Sequence, residues 1–199
     1  MIVDTHLLIS QILYKGLSNQ MDFKINRLAF AYGNIKPDFN NKDINRPHTM
    51  YQSLYCVNKF SKELMNRDIS INEFSKFLGV ICHFSSDYFG IYHREGNDKK
   101  GVFEHLFYEF ILHVKLLILL LSSKIKSNNS EILEDSIEAI VLNLEKKYNR
   151  ELKGLSRDIT YALFAAFEIS KLIVCSSQLY SNEKGINILK QHQVSGGSI

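Results

Sequence analysis

The chain has 199 residues and a net charge of +3, with 45% hydrophobic, 23% charged and 12% aromatic residues, the profile of one ordinary folded domain. The charge is weak and Lys and Arg form no run longer than short pairs such as Lys99-Lys100, so charge gives no argument for a specific nucleic-acid partner. The longest apolar patch, 110–121, is interrupted by His113 and Lys115 and falls short of the roughly 20 apolar residues that span a bilayer, so no transmembrane segment is expected.

Helix-period apolar spacing dominates from the start. Val3, Leu7, Leu8, Ile12 and Leu13 share one helical face over 3–15, with His6 beside it. A shorter helix is expected over 22–33, ending at Gly33. The stretch GNIKPDFNNKDINRPH holds both prolines of the chain and several Asn and reads as a loop. Pro37 biases Lys36 away from helical backbone, so that the loop places Asp38. Pro47 reads as the start of a helix reaching about residue 66, with His48 in its first turn. Ser70 with Glu73 three residues on forms a capping box for a helix over 71–89. Gly90 ends it, His93 follows, and a polar loop leads to a helix over 102–126. Two more amphipathic helices, 130–149 and 153–179, and a short one near 182–191 complete an all-α bundle of about seven helices. No strand pattern and no internal repeat are present. The expected organisation is a single helical metal-binding domain over 1–193 and a flexible tail over 194–199.

The residues MIVDTHLLISQIL place no Lys or Arg before a short apolar run broken by Asp4 and His6. No secretory signal is read there, and the cytoplasm is the expected location of the chain as given, unless a leader was removed. Cys56, Cys82 and Cys175 are scattered without a C-x-x-C pair and read as reduced, buried small side chains.

The chemistry concentrates in H-x3-D-x5-H-x11-H-x3-E, which is His83, Asp87, His93, His105 and Glu109. Residues four apart stack on one helical face, so two helices each offer an imidazole and a carboxylate one turn apart. Any one of these histidines reads as a hydrogen-bonded core or rim residue, and either carboxylate as a solvated charge. Together they read differently. Both helices are rich in apolar residues and expected to be largely buried, and a buried unpaired carboxylate costs several kcal/mol. No Lys or Arg within these helices is spaced to neutralise both. Nitrogen and oxygen donors of this kind suit Zn2+, and the candidates His6, Asp38, His48, His83, Asp87, His93, His105 and Glu109 exceed what one tetrahedral ion needs. Two or three ions are expected.

This pattern resembles the bacterial zinc-dependent phospholipase C family and its relatives, the zinc-dependent single-strand nucleases. Asp38 after Pro37, His48, H-x3-D-x5-H and H-x3-E stand in family order over residues 3–115, and Glu at 109 favours the phospholipase branch. The resemblance implies an all-helical fold with a trinuclear zinc cluster. It implies that His48, His83 and Asp87 hold one zinc with Asp38, and that His93, His105 and Glu109 hold a second. His6 and Asp87 would hold a third with the amine and carbonyl of Met1. The chain has no Trp, the residue that opens the secreted family members, and Met1 stands five before His6, the offset of the nuclease branch. Asp38 is also the implied general base for attack of a metal-activated hydroxide on a phosphodiester. The implied partner is a phosphate ester, with phospholipid or its head group among the candidates. A phosphomonoesterase or nuclease on the same cluster, and a metal-binding helical protein without catalysis, are the alternatives. His113 reads as a residue behind the ligands or a surface residue. Phe39, Tyr51, Tyr55 and Tyr88 are candidate cleft walls because they neighbour ligands.

Overall fold

A computed structural model describes residues 1–21, 23–39, 50–93, 101–122 and 134–182. Among these, seven α-helices and one 3-10 turn account for the regular structure, with no strand: α1 (Val3–Gln20), α2 (Arg27–Phe39), α3 (Met50–Asn66), α4 (Ile71–Asp87), the 3-10 turn Ile91–His93, α5 (Val102–Leu121), α6 (Ile137–Tyr148) and α7 (Leu155–Cys175). The all-α bundle is as expected. The entry of the third helix at Pro47, the loop 94–100, the segment near 182–191 beyond residue 182, and the tail 194–199 lie outside the described residues.

Helix α4 is the central element, packing against α1, α2, α3 and α7. Its N-cap is Ser70, whose hydroxyl accepts from the Glu73 amide at 3.2 Å. Phe74, Leu78, Ile81 and Cys82 are fully or almost fully buried, and they alternate by three and four so that one face meets α2 and α7. The core is completed by Ile9 and Leu13 of α1, Phe30 of α2, and Ile169 and Ile173 of α7. Phe23 packs edge-on against Phe74 at 6.1 Å between ring centroids.

The crossing of α2 and α4 is a close one, and glycine makes it possible. A Cβ on Gly33 would be driven into the Lys76 carbonyl, and one on Gly79 into the Phe30 carbonyl. Both obstacles are backbone, which cannot swing aside. This close approach brings the C-terminal turn of α2 beside the last turn of α4.

Three sequence expectations change. The second helix spans Arg27–Phe39, with Pro37 inside it, rather than ending at Gly33. Asp38 therefore sits on a helical turn and not in a loop. Proline costs a helix the hydrogen bond to the residue four back, but only two residues of α2 follow it and the packing of α2 on α4 holds its end in place. Helix α5 is far less buried than its composition suggests: of its described side chains only Glu109, Leu112 and Leu116 are buried, while Phe103, Phe107, Phe110 and Leu121 stand exposed. Cys82 is buried, whereas Cys56 and Cys175 are exposed free thiols. No described helix is long and apolar enough to cross a membrane.

Gly33→Ala and Gly79→Ala are each expected to destabilise the fold by about 1–3 kcal/mol, the cost of overpacking a close contact. Urea denaturation measures it. An alanine at the exposed Gly101, where a Cβ meets nothing within 4 Å, is the control expected to change far less.

Candidate metal centre

Four helices and the 3-10 turn deliver side chains to one place. Helix α1 supplies His6, α2 Asp38, α4 His83 and Asp87, the turn His93, and α5 His105 and Glu109. The spacing of four puts His83 and Asp87 on one flank of α4, with His83 Nε2 3.5 Å from Asp87 Oδ2. The same spacing on α5 lets His105 Nε2 donate to Glu109 Oε1 at 2.7 Å. His6 lies parallel to His83, with 3.9 Å between ring centroids.

Two groups of ligand-type atoms result, each gathered within 4.8 Å: His6, His83 and Asp87, all buried, and His93, His105 and Glu109. Asp87 joins them. Its Oδ1 is 3.5 Å from His6 Nε2 and 3.7 Å from His93 Nε2. Asp38 lies at the edge of the first group, with Oδ1 3.8 Å from His83 Nε2. The α-amino nitrogen of Met1 lies between the groups, 2.8 Å from Asp87 Oδ1, 3.1 Å from Glu109 Oε1 and 3.3 Å from His93 Nε2. Of the nine sequence candidates, His6, Asp38, His83, Asp87, His93, His105, Glu109 and Met1 meet here. His48 lies outside the described residues.

The electrostatics suit a cation. Burial alone would raise the carboxyl of Asp87, but His93, the Met1 amine and His6 outweigh it and hold it well below the ordinary range. Glu109 is likewise held low against its burial, chiefly by hydrogen bonds from His105 and His93. Burial and the neighbouring His6 push His83 well below its usual value, so its imidazole is neutral. Burial would lower the Met1 amine, yet Asp87 and Glu109 pull it up to about 10. Burial raises Asp38. Ionised carboxylates beside neutral imidazole are the protonation states that metal binding requires.

Six buried side-chain atoms among the described residues have no hydrogen-bond partner, and two of them are the ligand-type atoms His6 Nε2 and Asp38 Oδ2. Such atoms are costly unless something else engages them, and both border the first group. His83 is aimed by its other nitrogen: Nδ1 lies 2.8 Å from the Asn34 carbonyl. A carbonyl only accepts, so Nδ1 carries the proton and Nε2 presents a lone pair to the site. The Asn34 side-chain amide donates to the His6 carbonyl at 2.8 Å, tying α1 to the same point. The donor set, imidazole nitrogen with carboxylate oxygen, fits zinc.

Several supporting residues carried no sequence signal as such. Asn34 was hidden in a stretch whose composition reads as loop. Tyr108 precedes Glu109, and its hydroxyl donates to Asp158 of α7 at 2.8 Å while accepting from the Ile91 amide at 3.4 Å. Tyr148 donates to the other oxygen of buried Asp158 at 2.7 Å. One carboxylate thus anchors both α5 and the turn that carries His93. Tyr92 stacks on His105 at 4.7 Å and 14°. His113 Nδ1 is 3.1 Å from Thr5 Oγ1, a link between α5 and the residue before His6. Among the candidate cleft walls, Phe39 and Tyr55 are exposed, and Tyr88 is fully buried in the core and cannot line a cleft. The Tyr51 side chain lies outside the described residues. Solvent reaches the group at His105, whose side chain is 37% exposed, and at Asp38, at 25%.

Among known proteins, the family described as Zinc dependent phospholipase C matches residues 5–155. No curated protein matches the chain, and no solved structure does.

Asp158→Asn, which leaves a single acceptor for two tyrosine hydroxyls, is expected to weaken zinc binding by about 10–100-fold, the usual effect of losing a group that orients ligands. Titration against a chromophoric chelator reads the affinity, and circular dichroism checks that the helices remain.

Proposed function

Because the chain belongs to the zinc dependent phospholipase C family, we propose that it hydrolyses a phosphodiester of phospholipase C type at a cluster of two or three zinc ions. The observation that carries this reading is the meeting of two His–carboxylate groups through one shared carboxylate, Asp87. Zinc bound by these residues would supply electrophilic activation of the phosphoryl group and of an attacking water.

The ligand assignment is the one the family resemblance implies: His83, Asp87 and Asp38, with His48, which lies outside the described residues, would hold one ion; His93, His105 and Glu109 would hold another; and His6 and Asp87 would hold a third with the amine of Met1 once that amine has given up its proton. His83 binds through Nε2 because Asn34 holds Nδ1. Tyr92 and the Tyr108–Asp158 pair keep His105 and His93 from turning away. Asp38 takes the proton of the attacking water. It is partly open to solvent, its Oδ2 has no partner, and burial raises its carboxyl, which favours proton uptake. The substrate is a phosphate ester, with phospholipid or its head group as the first candidates. Phosphorylcholine esters, mononucleotides and single-stranded DNA, assayed side by side, separate this reading from a phosphomonoesterase or nuclease.

The complete burial of His6 and His83 favours one alternative: the inner group serves structure alone. The two readings differ at Asp38. Asp38→Asn should keep zinc content by elemental analysis and lose about 10²–10⁴-fold in hydrolysis. Unchanged hydrolysis removes Asp38 from the mechanism, and no hydrolysis of any ester by the zinc-loaded wild type leaves the structural role. Zinc should also stabilise the fold, by about 3 kcal/mol at one hundred times its Kd. That corresponds to roughly 6–12 °C in Tm for a chain of this size, reversed by chelator and read by calorimetry.

A further inference from the structure

Helix α5 carries two faces of opposite character. Glu109, Leu112 and Leu116 are buried, and His105 lies on the same side. Phe103, Leu106, Phe107, Phe110, Val114, Leu117, Ile118 and Leu121 are all exposed. At about 100° per residue, these eight occupy an arc of roughly 120° centred opposite the metal ligands. They recur at three- and four-residue steps over about 27 Å of helix, the pattern of a seam made to meet another helix.

The size of this face decides what it needs. Phe103, Phe107 and Phe110 are 88, 66 and 57% exposed; at the roughly 150–250 Å² an aromatic side chain can bury, they alone present about 400 Å². The five aliphatic residues bring the face to on the order of 800 Å², the share of one partner in a standard interface. The largest apolar patch of a typical monomer is about 300–600 Å².

We propose that α5 is the interface of a homodimer, packing antiparallel against α5 of a second copy about a two-fold axis near Phe110 and Val114. The stripe is self-complementary in the way such an axis demands, because the Phe103 end of one helix meets the Leu121 end of the other. A lipid surface fits less well. Lys115 is the only Lys or Arg in α5, whereas helices that lie on membranes carry basic residues along their polar side. A bilayer under the stripe would also lie behind the ligands that α5 supplies. Pairing through this face leaves His105 and Asp38 unobstructed, because the seam lies on the far side of α5.

Sedimentation velocity of the full chain over about 1–100 μM tests the proposal. The wild type is expected at twice the 23.0 kDa chain mass. Phe107→Lys with Phe110→Lys is expected at the single-chain mass, with unchanged helical circular dichroism, since both side chains are more than half exposed. Leu106→Glu with Val114→Glu serves as an independent second variant. A wild type that stays monomeric across the range overturns the proposal, as does a dimer that persists in both variants. Monomeric wild type that co-sediments with phosphatidylcholine vesicles, and loses this in the variants, overturns it in favour of a lipid partner.

Discussion

The constraint on which the structure depends is the carboxylate of Asp87. It is buried at the end of the central helix, within 4 Å of the imidazoles of His6, His83 and His93 and of an amine, and it links its own ligand group to the second. A carboxylate in such a position is tolerable only when cationic or hydrogen-bonding partners surround it. Three elements converge on this carboxylate. α1 brings His6, the turn after α4 brings His93, and α5 brings Glu109, with which Asp87 shares the Met1 amine. The core and the site are therefore not separate achievements of the fold. Phe74, Leu78 and Ile81 orient the same helix whose last turn carries the charge.

The glycine crossing acts on the same point from another direction. Close approach of α2 to α4 at Gly33 and Gly79 sets Asn34 within reach of both His83 and the His6 carbonyl, and sets Asp38 beside His83. A wider crossing with side chains between the helices would leave the two imidazoles without the contacts that aim them. Precision at the site thus comes from backbone contact rather than from additional side chains. Asp158 does the equivalent service for α5 and the His93 turn, with tyrosine hydroxyls in place of a carbonyl.

Much of this was legible in the sequence, for definite reasons. A spacing of four on a strongly periodic segment places His83 with Asp87, and His105 with Glu109, without reference to tertiary structure. The capping box at Ser70 marks the start of α4 by chemistry confined to four residues. What could not be read depends on neighbours. Pro37 and the Asn-rich stretch around it have loop composition, and only the support of α4 carries the helix through to Phe39. The apolar content of α5 indicates how much surface is to be buried but not against what, so its outward stripe reads as core in the sequence. Cys56 and Cys175 failed in the same way. Asn34 was invisible as a site residue because it acts through its carbonyl, which every residue possesses.

That last point reaches further than the site. The proton on His83 is assigned by an oxygen of the main chain, so no substitution at position 34 can delete the acceptor. Only a change in the path of α2 can. The tautomer is inherited from topology instead of from amino-acid identity, and comparison of related sequences at that column would not disclose it.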